Sequence, residues 1–279
     1  VSGGLTVACI QLNAGPEFAP NLAAAAALVR QARAAGAELI ALPENAAAIV
    51  QGRERILALA HPESTHPALA FFRELAQEVG AWLLVGSLAI RLEDGRAANR
   101  SLLIDAGGTV VARYDKIHMF DVDLPGGERY RESETFRPGE QAVLADTPWV
   151  RLGLTICYDL RFAALFRALA QAGAGLITVP AAFTVPTGRA HWHVLLRARA
   201  IETGCFVLAP AQCGQHDQGR HTYGHSLILD PWGEILAEAG ESPGFITARL
   251  DLARVAEVRG MVPALRHDRR FRGPDAATG

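Results

Sequence analysis

The feature that most constrains this chain is an alternation of short apolar runs with longer amphipathic stretches, interrupted by hairpin signals. Residues 5–12 and 38–42 read as buried strands. Between them an Ala-rich helix over 21–35 carries Leu22, Ala25, Ala26 and Val29 at helical spacing and closes at Gly36. A helix over 67–79 stops at Gly80 and leads into a strand over 82–87. Strands over 101–104 and 110–114 are joined by Gly107-Gly108, a hairpin signal. Strands over 141–145 and 150–156 follow, then helix 161–172, strand 176–179, helix 189–203 and strand 206–209. Strands over 226–229 and 233–237 flank Pro231-Trp232-Gly233, and strand 245–250 with helix 252–259 closes the pattern. Pure alternation predicts one parallel sheet. The hairpins predict instead a two-sheet α/β sandwich.

No internal repeat or linker is visible, so residues 1–272 are expected to form one domain with a short tail, 273–279. The longest uncharged run, 168–188, is broken by Gly173, Gly175, Pro180 and Pro186, which excludes a membrane span there. Half of the 279 residues are hydrophobic, enough for a full core, and 27 basic against 29 acidic side chains remove the electrostatic motive for nucleic-acid binding. Four cysteines without a Cys-x-x-Cys give neither a disulfide framework nor a zinc ribbon. With Val1-Ser2-Gly3-Gly4 passing straight into a strand, a soluble cytoplasmic protein is expected. The dinucleotide fingerprint and the Gly-Lys-Ser/Thr phosphate loop are absent, and no cofactor is expected.

Of the 27 basic residues, only Lys116 is lysine. In a chain that otherwise uses arginine, a retained lysine points to a need for a compact ammonium that a planar guanidinium cannot meet, although some position must hold a lone lysine by chance. Lys116 follows the strand over 110–114, Glu44 follows 38–42, and Cys157 follows 150–156. Side chains just beyond the carboxyl ends of strands converge on ligand crevices in α/β folds. A thiol, a carboxylate and an ammonium there suffice for acyl capture. Cys157 attacks a carbonyl or nitrile carbon, and Glu44, its pKa expected to be raised by burial, shuttles the proton. Lys116 and the backbone N–H of Tyr158 hold the oxyanion. A helix beginning after Cys157 is expected to favour the thiolate.

Each residue also has a plainer reading. A cysteine at a strand end is more often inert packing, and a glutamate there is often solvated. Cys9 and Cys205 read as core, while Cys213 lies beyond a strand end with no base beside it. Asp159 reads as the N-cap of the following helix. His191 and His193, about 200° apart on a helix, make a poor metal pair, so both are expected to be structural and no metal is expected.

The segments Leu42-Pro43-Glu44-Asn45, Tyr114-Asp115-Lys116-Ile117-His118-Met119-Phe120-Asp121 and Ile156-Cys157-Tyr158-Asp159-Leu160-Arg161-Phe162 resemble, in order, the three signatures of the nitrilase (carbon–nitrogen hydrolase) superfamily. The resemblance runs from about Leu5 to Phe271. It implies a four-layer αββα sandwich, a Cys-Glu-Lys triad formed by Cys157, Glu44 and Lys116, and a homodimer. Leu195-Leu196-Arg197-Ala198-Arg199-Ala200-Ile201-Glu202-Thr203, Tyr223-Gly224-His225-Ser226 and Asp230-Pro231-Trp232-Gly233 are similar to its amidase branch.

That branch implies hydrolysis of a small carboxylated amide. Deaminated glutathione is the first expectation, α-keto acid amides (the omega-amidase reaction) the second, and nitriles rank lower. The branch also implies a further glutamate in the polar segment 121–139, a candidate lid, and Glu132 holds that place as a candidate to position Lys116. Phe183 and Thr184, in a loop beyond a strand end, and Arg161 and Arg189, as carboxylate clamps, are candidate substrate contacts. For both arginines a surface charge is the competing reading. His193 stands where the branch commonly has glutamate. A non-catalytic binding or redox protein on this scaffold would need the thiol but not Lys116, and a Lys116→Arg variant separates the two readings.

Overall fold

The computed structural model describes residues 4–123, 129–269 and 271–273. From the N-terminus, β1 (Gly4–Gln11), β2 (Leu39–Ala41), β3 (Trp82–Arg91), β4 (Ala97–Ile104) and β5 (Val110–Asp115) belong to one sheet. A ribbon of β6 (Asp121–Asp123) and β7 (Arg129–Arg131) follows. The second sheet holds β8 (Val143–Ala145), β9 (Leu152–Leu154), β10 (Leu176–Thr178) and β11 (Phe206–Ala209). After a ribbon of β12 (Cys213–Gln215) and β13 (His221–Tyr223), it is completed by β14 (Leu227–Leu229) and β15 (Ile235–Glu238). Finally β16 (Gly244–Asp251) returns to pair antiparallel with β1.

The orders are β16-β1-β2-β3-β4-β5 and β15-β14-β11-β10-β9-β8. Read from β16 and from β8, both sheets show the same pairing: antiparallel, two parallel steps, then two antiparallel steps. Topology thus repeats where the sequence shows no repeat, because the repeated feature is a pairing scheme and not a set of side chains.

The layers follow from alternation along β1. Leu5, Val7 and Cys9 point into a core shared with the second sheet, where they meet Leu152, Leu154 and Leu176. Ala8 and Ile10 point the other way, onto α1 (Phe18–Ala34) and α3 (Pro67–Val79), among Leu22, Val29, Phe72 and Leu75. The second sheet is covered by α4 (Ala163–Gln171) and α5 (Val185–Thr203) through Phe166, Leu169, Trp192 and Leu196. The result is the expected αββα sandwich. Strands buried on both faces must be apolar throughout, which explains the unalternating runs.

Several boundaries depart from expectation. α5 begins at Val185, four residues early, because Pro186 occupies its first turn, where a missing N–H costs nothing. The short helix α2 (Arg53–Leu59) has no buried residue, so no apolar stripe announced it. The segment 121–139 is partly regular, with β6, β7 and a single 3-10 turn at Glu132–Glu134; residues 124–128 of it, and 274–279 of the expected tail, lie outside the described residues. Among the described residues no helix is long and apolar enough to cross a membrane.

Candidate active site

Glu44, Lys116 and Cys157 leave their strands on the same side and line one cavity of about 550 Å³. The ledge that carries Glu44 depends on a close approach: a Cβ at Gly86 of β3 would stand 2.1 Å from the Leu42 carbonyl oxygen. The chain then reverses at Asn45 (φ 55°), whose N–H donates to Ser87 Oγ at 2.8 Å. Gln212 Nε2 donates to the Glu44 carbonyl at 3.0 Å, tying the second half of the chain to this ledge.

The Lys116 ammonium is 2% exposed and lies between two carboxylates. It donates to Glu44 Oε1 at 3.0 Å and to Glu132 Oε1 and Oε2 at 3.0 and 2.8 Å. Glu132 is fixed in turn by the Phe120 N–H at 2.7 Å. Asn99 of β4 bridges the same two acids, its Nδ2 donating to Glu44 at 2.9 Å and Glu132 at 3.1 Å. The sequence reading missed Asn99; the available signal was a lone amide within an otherwise small and apolar strand stretch, Ala97-Ala98-Asn99.

Cys157 has φ 48°, the left-handed region that a residue with a Cβ adopts at a cost of about 1–3 kcal/mol. Its N–H is tied to the Pro180 carbonyl at 2.9 Å. A five-residue 3-10 turn, Cys157–Arg161, follows, and α4 begins only at Ala163. Asp159 therefore does not cap α4. Fully buried, it accepts from Ile156 N at 2.9 Å, Tyr114 Oη at 2.7 Å, and His118 N and Nδ1 at 3.1 and 2.6 Å. One carboxylate thus locks the turn that bears Cys157 to the strand end that bears Lys116.

Protonation follows from this crowding. Burial pushes Glu44 up, but the Lys116 charge, hydrogen bonding from Cys157 and Lys116, and the more distant Arg220 outweigh it and hold the acid below its ordinary range. The raised carboxylate expected from burial alone is corrected by an ammonium 3.0 Å away. The Cys157 thiol is pushed well up, first by burial and then by the Glu44 charge, against the lowering pull of Lys116. The expected thiolate is likewise corrected, since a short 3-10 turn replaces the helix that was to stabilise it. Burial lowers the Lys116 pKa, but Glu132 and Glu44 reverse the sign and the ammonium is strongly retained. The resting site is a neutral thiol beside an ionised carboxylate. His66, which also lines the cavity, has its pKa lowered to about 4 by burial and the neighbouring His61, so it is neutral near pH 7.

Tyr158, Phe183 and Thr184 line the cavity as expected residues do. Arg161 and Arg189 stand outside its lining. Arg161 contacts His191 Nδ1 at 3.2 Å with its guanidinium 5.7 Å from the Tyr158 and Phe183 rings, and Arg189 is exposed on α5. The cavity instead presents Arg220, which donates to the Ala182 carbonyl at 3.0 Å and lies 5.8 Å from the Tyr130 ring. Its Nε is buried and has no hydrogen-bond partner among the described residues. Cys9, Cys205 and Cys213 are buried free thiols outside the lining.

Comparison with known proteins gives a consistent picture. The carbon-nitrogen hydrolase family profile matches residues 6–260. A deaminated glutathione amidase of Yersinia enterocolitica is 43% identical over 267 residues, covering 94% of this chain and 92% of its own. The NitFhit protein of C. elegans superposes with TM-score 0.90 at 37% identity; the match covers 96% of this chain and 66% of that longer one. An amidase from Nesterenkonia sp. AN1 superposes with TM-score 0.81 at 27% identity, over 96% of this chain and 95% of its own. In its glutamate-to-glutamine mutant, the active-site cysteine carries the acetamide moiety of fluoroacetamide.

Proposed function

This chain belongs to the carbon–nitrogen hydrolase family. On that footing we propose that it is an amidase that hydrolyses a small carboxylated amide through a thioester on Cys157. The observation that carries this reading is the meeting of a neutral thiol, an ionised Glu44 and a doubly anchored Lys116 in one cavity.

Cys157 Sγ attacks the amide carbon while Glu44 takes the thiol proton. The carbonyl electron pair moves to oxygen. Lys116 makes three contacts at rest, one to Glu44 and two to Glu132; it keeps one to each acid and turns the N–H of its longer Glu132 contact to the oxyanion, which the Tyr158 backbone N–H also holds. As the C–N bond breaks, Glu44 returns the proton to the departing amine, leaving the thioester. Water then adds, giving its proton to Glu44. The second tetrahedral intermediate expels sulfur, which regains its proton, and the products are a carboxylic acid and an amine or ammonia. Glu132 positions Lys116. Asn99 keeps two carboxylates near one ammonium by supplying two further N–H donors.

Deaminated glutathione is the preferred substrate in this reading, supported by the similarity to an amidase of that name. α-Ketoglutaramate, the α-keto acid amide with ammonia as its leaving group, would load the same α-ketoglutaryl group onto the sulfur, so the two differ only in the amine released. We assign the carboxylate of that acyl group to Arg220. An Arg220→Gln variant should raise KM for both substrates about 10–100-fold, the value of a charged hydrogen bond. It should leave a neutral simple amide nearly unaffected. Ammonia and amine release measured on all three amides tests this, and an equal loss on the neutral amide would remove Arg220 as the clamp.

The expected homodimer is supported by exposed apolar side chains on neighbouring elements: Val194 and Ile201 on α5, Trp232 in the adjoining turn, and Leu236 on β15. Sedimentation equilibrium should give a two-chain mass, reduced to one chain by Val194→Glu with Ile201→Glu. A monomeric unmodified protein would contradict it.

A further inference from the structure

His193 on α5, His225 just before β14 and Glu238 at the end of β15 meet at the protein surface, away from the catalytic cavity, which none of them lines. His193 Nε2 and His225 Nδ1 each lie 3.0 Å from the same oxygen, Glu238 Oε1, and the ligand atoms of all three residues fall within 4.8 Å of one another. We propose that this trio is a binding site for a zinc-class divalent ion, tying α5 to the edge of the second sheet.

Spacing is the first argument. An ion with ligand bonds of about 2.0–2.1 Å in tetrahedral geometry holds its ligand atoms about 3.3 Å apart. The two nitrogen–oxygen distances are near that value, so an ion enters with small side-chain adjustments. Two imidazoles and one carboxylate form a borderline donor set that suits zinc and its transition-metal neighbours and leaves a position for water.

Preorganisation is the second argument. His225 adopts φ 54°, and both of its backbone groups are tied: its N–H donates to the Gly240 carbonyl at 3.0 Å, and its carbonyl accepts from Trp192 Nε1 at 2.8 Å. Its ring stacks on Tyr223 with centroids 4.3 Å apart. Its other nitrogen lies 3.9 Å from Glu241 Oε1, beyond hydrogen-bond distance but within reach of a side-chain rotation that would make it an outer carboxylate partner. In the bound state each imidazole carries its N–H on the nitrogen turned away from the ion, and Glu238, now facing the ion, serves as the third ligand. The His191–His193 spacing was the wrong pair to weigh: the partners of His193 come from elsewhere in the chain.

The test is calorimetric titration of the chelator-stripped full chain with zinc ion alone. One ion per chain should bind. His193→Ala and Glu238→Gln should each weaken binding at least ten-fold, while Cys157→Ala binds like the unmodified protein. Cobalt in place of zinc should give visible bands without a near-ultraviolet sulfur charge-transfer band, and amide hydrolysis by metal-free His193→Ala should match the unmodified protein. No binding, binding unaffected by His193→Ala, or binding lost in Cys157→Ala would each overturn the site.

Discussion

Cys157→Ala should lower turnover of every amide by at least about 10⁴-fold while the protein stays folded. The reason lies in how the site divides its labour. Glu44 and Lys116 remain in place without the sulfur, but neither can form the acyl bond, and nothing else in the cavity lining is a nucleophile beside a base. The fold is expected to survive because Cys157 is a small side chain whose backbone is anchored independently through its N–H bond to Pro180 and the Asp159 lock. Steady-state amine release with circular dichroism on the same sample checks both halves. Activity within ten-fold of the unmodified enzyme in a folded variant would remove the nucleophile from the mechanism.

Lys116→Met should be the most damaging change for stability, costing about 3–5 kcal/mol at pH 7, because it strands two carboxylates in a buried site. The pH dependence has a definite sign. Glu44 has a depressed folded pKa, so its contribution is present above the ordinary value of 4.5 and fades as pH falls through the folded one. Lys116 has a raised folded pKa, so its contribution is complete below the ordinary value of 10.5 and fades only as pH rises through the folded one. Between those limits the pair stabilises the native protein almost evenly.

Removing the ammonium reverses the balance at Glu44. Burial then dominates and raises its pKa, and folding favours the protonated acid. The loss relative to the unmodified protein should therefore be larger near pH 8 than near pH 5, whatever background slope the buried His66 and His216 give to both proteins. Denaturant melts at the two pH values decide this; equal losses at both would mean that the carboxylates are not stranded. Lys116→Arg keeps the charge but fits the oxyanion poorly, and it should lose about 10²–10³-fold in turnover.

The central triplet could be read from the chain because each member sits directly beyond an apolar strand, where position alone predicts convergence. Lys116 was conspicuous further as the one lysine among 27 basic residues. The layers were legible for a similar reason: strands buried on both faces cannot hide polar residues.

What was not legible depends on contacts between distant segments. The opposing pKa shifts of Glu44 and Cys157 arise from distances no spacing encodes. Arg220 enters the cavity from the β12–β13 ribbon, two polar strands of three residues that lack an apolar signature, whereas Arg161 and Arg189 were candidates because the branch's substrates carry carboxylates, and for both the surface-charge reading weighed more. Asp159 has the residue type and position of a helix cap, yet it bonds backward to the segment that carries Lys116, because the turn after Cys157 is 3-10 and α4 starts later.

The most direct measurement is intact-protein and peptide mass spectrometry of the unmodified enzyme, acid-quenched within milliseconds of mixing with saturating deaminated glutathione. The mechanism predicts an α-ketoglutaryl adduct on the peptide containing Cys157, removed by hydroxylamine and absent from the Cys157→Ala variant. An adduct on another residue, or amine release in the unmodified enzyme with no adduct on Cys157 under any quench, would contradict it.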